Sequence, residues 1–428
     1  MLLKIFLFFY NLAWLVVFPF LKRKPRIALG WRQRLVKDVQ LGPYDIWIQA
    51  ASGGEALLTT AILTQLVSSS PSDKKLRVLV TSGTRQGIDT LSKVLTEHKT
   101  TGLDVSIAYF PFDAPYLMQR AFILFCPKIA VIIETELWPG FLITAKKHRV
   151  PVLLVNGRIS EKSFRSYKHW SRFFEKYGPE KILAISSADQ NRFAQLVGPE
   201  RVEKMNNIKF DKVEIKGNTS NDTAISALLP SICPFVILGS IRQEEEEKIL
   251  SVIQHLLKNQ KKIIIGLFPK HRERISQWQN ILKQQNIPYV RRSTASHPVQ
   301  PGTVLLWDIF GELAQAYSHA KATFVGGSLV NLGGQNFLEP LIYGLRPIIG
   351  PHWKDFSWVG QEIITLGLIR EVADEYQLAD ILIKDIKSHE SKDIVLQQVE
   401  QFFAPRRGGT NQTCQCIIDT LQAINLKK

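Results

Sequence analysis

The sequence predicts an α/β protein with two doubly wound, Rossmann-like domains behind an amino-terminal membrane-anchor helix. Three observations predict this class: an apolar amino-terminal segment, an alternation of short apolar runs with amphipathic stretches, and a polar break near the middle of the chain. Such alternation is typical of parallel sheets covered by helices on both faces. A chain of 428 residues is also too long for one ordinary core, which favours two domains.

The membrane anchor is predicted over residues 1–24. Residues 5–21 are apolar apart from Tyr10 and Asn11, and basic residues follow at once. A helix of this length is slightly short of a hydrocarbon core, so a spanning helix and a helix embedded in one leaflet are both open. A buried core helix is the alternative. The basic flank predicts that the rest of the chain is cytoplasmic. We also expect this flank to face anionic lipid. Its residues are Lys22, Arg23, Lys24, Arg26, Arg32 and Arg34.

The two domains follow from the order of apolar runs. In the first domain, predicted over 25–216, strands are expected near 46–48, 77–81, 105–110, 129–133, 152–155 and 182–185. A polar, turn-rich linker is expected at 217–230. The second domain, 231–410, repeats the pattern in the runs PFVILGS, KKIIIGL, TVLLW, ATFVGG and PIIG. A carboxyl-terminal helix is expected at 411–428, and it could pack back across the domain junction.

Charge and cysteine content narrow the function classes. The 54 basic and 38 acidic residues give a net charge of +16, which predicts an anionic partner such as a membrane surface or a phosphorylated substrate. Nucleic acid is not expected, because aromatic residues are not interleaved with Lys and Arg and no nucleic-acid-binding motif is present. The cysteines have no framework spacing and are expected to be free thiols; they are Cys126, Cys233, Cys414 and Cys416.

The first strand runs into a turn, Ser52-Gly53-Gly54, and then into an acid, Glu55, at the start of a helix. Glycines let the backbone approach a ligand closely, and the free N–H groups of a helix start favour an anion. Glu55 has two interpretations. It is either a carboxylate that complements the helix dipole or a catalytic base.

Three strand-to-helix turns of the second domain are expected at one edge of its sheet. One holds Gly239 and Ser240, and another holds Lys270, His271 and Arg272. The third is the stretch VGGSLVNLGGQNFLEP, which contains two Gly pairs and then Asn336 and Glu339. Ligands of open α/β sheets bind at the carboxyl ends of the strands, and amides with basic side chains suit a phosphate.

Absent motifs also inform the chemistry. The sequence has no GxxxxGK[ST], GxGxxG, GxSxG or HExxH motif, so the usual signals for nucleotide hydrolysis, hydride transfer, serine hydrolysis and zinc proteolysis are missing. It also lacks Asp-x-Asp, which a metal-bridged sugar-diphosphate site would often carry. We therefore expect no metal site and a transferase in which helix dipoles and cationic side chains hold the leaving phosphate.

These motifs resemble the 3-deoxy-D-manno-oct-2-ulosonic acid (Kdo) transferases, membrane-associated enzymes of lipopolysaccharide assembly with the GT-B fold. The resemblance covers almost the whole chain, in the family's order: AASGGE, IETELWP, NGRISEKS, NNIKFD, GSIRQEEEE, PKHRER, FGELAQAY, FVGGSLVNLGGQNFLEP and GPHWKDF. It implies transfer of Kdo from CMP-Kdo to a lipid A precursor at the cytoplasmic face of the inner membrane, with inversion and without a metal. CMP-Kdo is then a substrate, and no cofactor is expected.

The resemblance also implies roles for individual residues. Glu55 is implied as the general base, facing a cleft between the domains, with Ser52, Gly53 and Gly54 close to the acceptor. The nucleotide-binding residues implied in the second domain are Ser240, Lys270, His271, Gly311, Asn336 and Glu339. Residues implied in the cleft or acceptor site are Glu134, Glu136 and Arg158, although a buried Glu paired with Arg158 explains these acids as well. Glu339 has a similar alternative, as a structural acid at a helix start.

The chain departs from the family pattern at three positions. Lys270 and Gln335 stand where the family usually has Arg and His, and Gly53 stands for a valine. Because lysine is a point charge, the phosphate geometry is expected to be looser than with arginine. Two alternatives stay open: a GT-B enzyme that uses a UDP-sugar, and a non-catalytic membrane-tethered protein that binds anionic lipid.

Overall fold

The protein forms two compact units in a computed structural model that describes residues 2–69, 75–97, 102–217 and 223–426. The first unit consists of Met1–Lys212 together with Arg406–Lys428, and the second is Val213–Pro405. The chain therefore leaves the first unit once and returns to it for its last helix. Each unit is built around its own parallel sheet.

The sheets are made almost wholly of short, buried strands. Within the described ranges, the first sheet contains β1 (Ile46–Ala50), β2 (Leu76–Ser82), β3 (Leu103–Tyr109), β4 (Ile129–Ile133), β5 (Val152–Gly157), β6 (Lys181–Ala184) and β7 (Val202–Lys204). The second contains β8 (Phe235–Ile241), β9 (Ile264–Pro269), β10 (Tyr289–Arg291), β11 (Thr303–Leu306), β12 (Ala322–Val325), β13 (Ile348–Ile349) and β14 (Arg370–Glu371). The strand orders are β3-β2-β1-β4-β5-β6-β7 and β10-β11-β9-β8-β12-β13-β14, and every pairing is parallel.

Helices connect most of these strands, precede β1 and follow β14. In the amino-terminal part they are α1 (Leu2–Lys22), α2 (Pro25–Ala28), α3 (Trp31–Arg34), α4 (Gly53–Ser69), α5 (Arg85–Glu97), α6 (Pro115–Phe125), α7 (Pro139–Lys147), α8 (Glu161–Lys168), α9 (Ser171–Tyr177) and α10 (Ser187–Val197). They continue with α11 (Thr223–Ser226), α12 (Glu246–Asn259), α13 (Arg274–Gln284), α14 (Leu313–His319), α15 (Leu338–Leu341), α16 (Glu362–Thr365), α17 (Glu375–Ile386), α18 (Lys392–Phe403) and α19 (Gly409–Leu426).

The first sheet separates two apolar layers. Alternate side chains of a strand point to opposite faces, so Trp47 of β1 joins one layer while Ile46 and Ile48 join the other. Trp47 is fully buried against Phe122 and Phe141, with ring centroids 5.1 Å apart in both pairs. Because both faces are covered, β1 and β4 can be continuous apolar runs, as the sequence predicted.

The turns that follow β1 and β4 are neighbours in space. These strands pair directly, although two strands and their helices separate them in sequence. The chain reverses its winding direction at this point, where open α/β sheets place their ligands. In the second sheet, β8 and β12 are paired at the corresponding position.

Helix α1 packs one face against the first unit. The rings of Trp14 and Phe18 lie 5.7 Å and 5.3 Å from that of Phe112, and the Tyr10 hydroxyl donates a hydrogen bond to Asp113 over 2.8 Å. The opposite face leaves large apolar side chains exposed; they include Phe8 (65%), Phe9 (61%) and Phe20 (61%). In the described part of the chain, Ile5–Lys22 alone is long and apolar enough to cross a membrane, by length and composition.

Two residues of the predicted basic cluster have other partners. Arg34 is buried, donates to the Gly83 carbonyl oxygen over 2.8 Å, and lies over the Tyr109 ring. Arg32 pairs with Asp38. The expectation that Arg34 faces lipid is therefore wrong, because its guanidinium is already used to hold α3 against the domain. The exposed basic cluster consists of Lys22, Arg23, Lys24 and Arg26.

The predicted domain boundaries differ from the compact units. The segment 217–230 was expected to be a linker, but Ile225 and Leu228 are buried in the core of the second unit. Residues 218–222 lie outside the described residues. The last helix, α19, belongs to the first unit, where Cys414 and Ile417 pack in the same layer as α4. The four cysteines form no disulfide and are free thiols, as predicted.

The patterns missed three strands, β7, β10 and β14. Each has only two or three residues, and none carries the continuous apolar run that marks the inner strands. They lie at or near the edges of their sheets. Edge strands bury fewer side chains than central ones, so their sequences carry a weaker apolar pattern.

Candidate functional site

The turn between β1 and α4 holds the carboxylate of Glu55 by two hydrogen bonds. Its Oε2 accepts from the Ala51 amide over 2.6 Å and its Oε1 accepts from the Ser52 hydroxyl over 3.0 Å. This arrangement is similar to a capping box, in which Ser and the Glu three residues later satisfy amides at a helix start. A Cβ on Gly53 would lie 2.8 Å from the Gln86 side chain, so the turn is packed closely on that side. The geometry thus agrees with the interpretation of Glu55 as a carboxylate that stabilises the start of α4.

The same carboxylate has an unusual proton affinity. Burial raises the pKa of Glu55 to about 7, against the opposing hydrogen bond from the Ala51 amide. The negative charges of Glu134 and Glu136 contribute to this rise. A carboxyl group that titrates near neutral pH meets the requirement for a general base, since proton transfer is most efficient when the pKa lies near the operating pH. The catalytic role of Glu55 stays a prediction.

Glu134 ends β4 beside this turn and is held by two cations. Its Oε2 accepts from Arg158 over 2.7 Å, and its Oε1 accepts from the Lys209 ammonium over 3.1 Å. Its backbone lies in the left-handed region, with φ at 61°, a strain that non-glycine residues tolerate mainly where the surroundings demand it. The interpretation of Glu134 as a buried acid paired with Arg158 is confirmed.

Glu136 has a different partner. Its carboxylate accepts a hydrogen bond from the indole N–H of Trp138 and does not join the Arg158 pair. Burial raises the pKa of Glu136, and the indole hydrogen bond opposes this shift. We call Glu55, Glu134 and Glu136 the acid cluster. Glu134 is paired with two cations, whereas Glu136 accepts from a neutral indole.

Sequence reasoning gave no role to the lysines beside the acid cluster. Lys209 and Lys212 lie on a short 3₁₀ segment, Ile208–Lys212, whose first amide donates to the Asn156 side chain over 3.0 Å. Lys212 donates to the Leu57 carbonyl oxygen in α4, and burial lowers its pKa. Lys209 lies in the motif NNIKFD and Lys212 directly follows it, and nothing in the local pattern indicates that these lysines reach Glu134 and α4.

In the second unit, four of the predicted nucleotide-binding residues line one cavity of about 250 Å³. They are Ser240, Lys270, Gly311 and Glu339. Part of its wall is aromatic: Phe268 and Trp307 stack with ring centroids 4.3 Å apart. Ser240 reaches the cavity from the end of β8 with φ at 55°, again in the left-handed region. The roles of these residues stay predictions.

Glu339 is the acid of this cavity. Burial raises its pKa, while the positive charges of Lys270 and Lys216 oppose the shift. It lies in the first turn of α15, a single-turn helix, and its charge in turn helps to raise the pKa of buried Tyr317. The position of Glu339 thus agrees with a nucleotide-binding acid and equally with a structural acid at a helix start.

Two other predicted residues do not line the cavity. His271 is exposed at the turn before α13. Asn336 is also exposed, and its side-chain oxygen accepts from the Leu338 amide over 3.3 Å, which helps to begin α15. His271 and Asn336 are close in sequence to Lys270 and Glu339, but their side chains do not line the same cavity.

The glycine turn after β12 has a partner that sequence reasoning missed. The carboxylate of Glu245, which is fully buried, accepts from the amides of Gly327, Ser328 and Leu329, the latter two over 2.9 Å. These amides were expected to be available to a phosphate. The expectation is wrong for these three, because an internal carboxylate occupies them. The run of four Glu in RQEEEE was the signal, but only tertiary structure shows which Glu turns inward.

Comparisons with known proteins identify the family of the chain. The family model described as Glycos_transf_N, 3-deoxy-D-manno-octulosonic-acid transferase (kdotransferase), matches residues 28–212. A 3-deoxy-D-manno-octulosonic acid transferase of Haemophilus influenzae is 30% identical over 340 residues, which cover 77% of this chain and 76% of that relative. The chain belongs to the 3-deoxy-D-manno-octulosonic acid transferase family. It is therefore a glycosyltransferase of the Kdo transferase type.

One relative is longer than this chain. A bifunctional glycosyltransferase/methyltransferase of Fusobacterium nucleatum is 28% identical over 397 residues, or 91% of this chain. The match covers 59% of that relative's length. The Kdo transferase relatives from Haemophilus influenzae and Bordetella pertussis are covered over 76% and 87% of their lengths.

Solved structures confirm the GT-B fold class. A glycosyltransferase from Rickettsia africae matches over 90% of this chain and 99% of its own, with a TM-score of 0.55 and 10% identity. A putative UDP-N-acetylglucosamine 2-epimerase from Listeria monocytogenes matches over 83% of this chain and 91% of its own, with a TM-score of 0.51 and 12% identity. At these identities the likeness concerns the fold alone.

Proposed function

We propose that this Kdo transferase moves Kdo from CMP-Kdo to a lipid A precursor, with inversion and without a metal ion. The observation that carries the proposal is Glu55, a half-buried member of the acid cluster with a pKa of about 7. The chain that contains it belongs to the Kdo transferase family. The acid lies where strands β1 and β4 end, at the reversal point of the first sheet. Ligand sites of open α/β sheets occur at such points.

The proposed reaction consists of one proton transfer, one bond formed and one bond broken. The Glu55 carboxylate takes the proton of a sugar hydroxyl of the acceptor. The hydroxyl oxygen forms a bond to the anomeric carbon of Kdo, while the bond between that carbon and the phosphate oxygen of CMP breaks on the opposite face. Displacement from the opposite face inverts the configuration, and CMP leaves as the phosphate monoester. A positioned base of this kind contributes roughly 10² to 10⁴-fold to the rate.

The hydrogen bonds of Glu55 support a base that is aimed before substrate arrives. The Ala51 amide and Ser52 hydroxyl fix the carboxylate in one rotamer, which lowers the entropy lost on reaching the reactive geometry. Each oxygen keeps further acceptor capacity, because a carboxylate has about four lone-pair sites. An acceptor hydroxyl can therefore hydrogen-bond to Glu55 without displacing the turn.

The cavity of the second unit is the proposed CMP site. Lys270 supplies a positive charge for the phosphate, and Glu339 supplies an acceptor for ribose hydroxyls on the same wall. Lys270 is exposed, so its ammonium is accessible to a ligand. Metal independence is proposed from this cation and from the lack of Asp-x-Asp in the sequence.

The cytoplasmic face of the inner membrane is the proposed location. Helix α1 is apolar and exposes one face, and the exposed basic cluster follows it directly. Because α1 also packs along the first unit, we propose that it lies in one leaflet rather than crossing the bilayer alone. The acceptor is a lipid, so this placement puts enzyme and acceptor in the same layer.

The test is reconstitution with defined substrates. Purified full-length protein, CMP-Kdo generated in place and a lipid A precursor should yield a product whose mass increases by one or more Kdo residues. Glu55→Gln should be nearly inactive in the same assay. Thermal unfolding separates the alternatives, since CMP should stabilise the protein and UDP should not. Stabilisation by UDP alone would favour the UDP-sugar alternative, and no response to any nucleotide together with no transfer would favour a lipid-binding protein.

A further inference from the structure

The first unit contains a second, larger cavity that the proposed reaction does not use. Its volume is about 590 Å³, within the range of roughly 300 to 1,000 Å³ that small-ligand sites occupy. Its walls come from α1, from the segment that follows β4, and from α8 and α9. Aromatic and aliphatic side chains form most of the lining, so the cavity suits an apolar ligand.

Helix α1 forms one wall of this cavity. Phe6 and Tyr10 line it, and the Phe6 ring lies 6.4 Å from that of Trp170 on the segment between α8 and α9. The Tyr10 hydroxyl is anchored on Asp113, which fixes this wall against the domain. Phe8 and Phe9, which lie between Phe6 and Tyr10 in the sequence, are exposed. The cavity therefore shares helix α1 with the exposed apolar face that is proposed to enter the leaflet.

The rim of the cavity has the character of a membrane interface. Trp170 is 56% exposed, and tryptophan prefers the level of the lipid headgroups. Residues 161–177, which carry the rim, contain five Lys or Arg and two Glu, a net charge of +3 (5 − 2). Glu161 pairs with Arg165 of the same segment and with Arg192 of α10. The rim thus complements an anionic lipid headgroup.

One side of the cavity lies beside the acid cluster. Glu136 and Trp138 belong to its lining, and Glu136 is close enough to Glu55 to influence its charge. A lipid whose chain enters beside α1 would thus hold its headgroup near the residues proposed to act on the acceptor. Among the described residues, the side chains that line the cavity all belong to the first unit.

We propose that this cavity binds one acyl chain of the lipid acceptor and so orients the acceptor sugar toward the acid cluster. The inference rests on the proposed function, because it assigns the chain to the acceptor of that reaction. Transfer of a chain from the bilayer to the cavity exchanges one apolar medium for another, so the net affinity gained in a membrane is small. The main gain is orientation, since a chain held in a walled cavity restricts the position of its headgroup.

A pocket-filling variant with a matched control tests the site. Ser166 lines the cavity from α8, and Ser187 is an exposed serine on α10 outside it. Ser166→Phe should fill part of the cavity, whereas Ser187→Phe adds the same side chain elsewhere. Both serines are exposed, so both variants should fold, and thermal unfolding checks this.

The first readout is binding of dansyl-undecanoic acid to full-length protein held in amphipol. The probe is water-soluble, so each methylene it buries strengthens binding about fourfold. We expect binding to the unaltered protein, at least about tenfold weaker binding to Ser166→Phe, and unchanged binding to Ser187→Phe. Equal titrations for the unaltered protein and Ser166→Phe, after subtraction of the amphipol signal, would overturn the proposal.

The second readout separates this inference from the proposed function. Transfer to an acylated lipid A precursor and to its deacylated disaccharide is compared for the unaltered protein and both variants. Ser166→Phe should lower the ratio of kcat/KM for the acylated acceptor to kcat/KM for the deacylated one by about tenfold, and Ser187→Phe should leave this ratio unchanged. No transfer to either acceptor would refute the proposed function, while the fatty-acid titration would still decide whether the cavity binds an acyl chain. An unchanged ratio in Ser166→Phe would refute the acceptor role of the cavity.

Discussion

The pH dependence of transfer is the sharpest consequence of the acid cluster. If Glu55 is the base, only its ionised form is active, and its pKa of about 7 places half-ionisation at neutral pH. From that value, about a tenth of Glu55 is ionised at pH 6 and about nine tenths at pH 8, so kcat/KM should differ by about tenfold. An unperturbed glutamate would be almost fully ionised at both values and would give a flat profile.

Two substitutions check the assignment. Glu55→Gln keeps an acceptor for the Ala51 amide, so it should fold, but it should lower kcat roughly 10² to 10⁴-fold and abolish the acid limb. Glu134→Gln removes a negative charge that raises the pKa of Glu55 and leaves Arg158 and Lys209 without their shared partner. The acid limb should therefore move to lower pH.

The assay is the initial rate of CMP release at subsaturating acceptor between pH 5.5 and 8.5, with exposed Glu200→Gln as the matched control. A raised pKa also means that the folded protein binds this proton more tightly than the unfolded chain. The contribution of Glu55 to stability should thus decline as pH rises from about 4.5 to about 7, and this decline should be absent in Glu55→Gln. A full acid limb in Glu55→Gln, or normal turnover of that variant, would refute the base assignment.

Three further predictions concern the donor cavity, the metal and the lipid surface. Glu245→Gln should lower the free energy of unfolding by about 2 to 5 kcal/mol and weaken CMP binding, because the NH₂ group of the new glutamine would face the buried amides after β12. An unchanged urea unfolding curve would contradict this prediction. Transfer should survive EDTA, since the leaving phosphate is met by Lys270; loss with EDTA and recovery with Mg²⁺ or Mn²⁺ would reject this mechanism. Replacing the exposed basic cluster by Gln should raise KM for liposome-embedded acceptor at low salt without changing CMP affinity, and the difference should shrink as salt screens the charges; equal KM values at low salt would leave the cluster as a topology signal only. The residues replaced are Lys22, Arg23, Lys24 and Arg26.

The sequence alone determined features that depend on local pattern. Inner strands such as β1 and β4 are buried on both faces, so they have to be continuous apolar runs that are visible without a structure. The turn Ser52-Gly53-Gly54 with Glu55 is likewise encoded within four residues, since its glycines, hydroxyl and acid are neighbours in the chain. The free thiols and the two-sheet architecture follow from spacing and periodicity in the same way.

Tertiary structure decided which polar groups are available and which are already paired. Arg34 and Glu245 have the same local appearance as exposed charges, but Arg34 reaches Gly83 and Glu245 reaches amides 82 to 84 positions away. The return of α19 to the first unit and the cavity beside α1 also depend on contacts between distant segments. Local propensity and periodicity describe a few neighbouring residues, whereas the partner of a buried charge is set by the packing of elements far apart in the chain. The desolvation that raises the pKa of Glu55 therefore appears only once that packing is known.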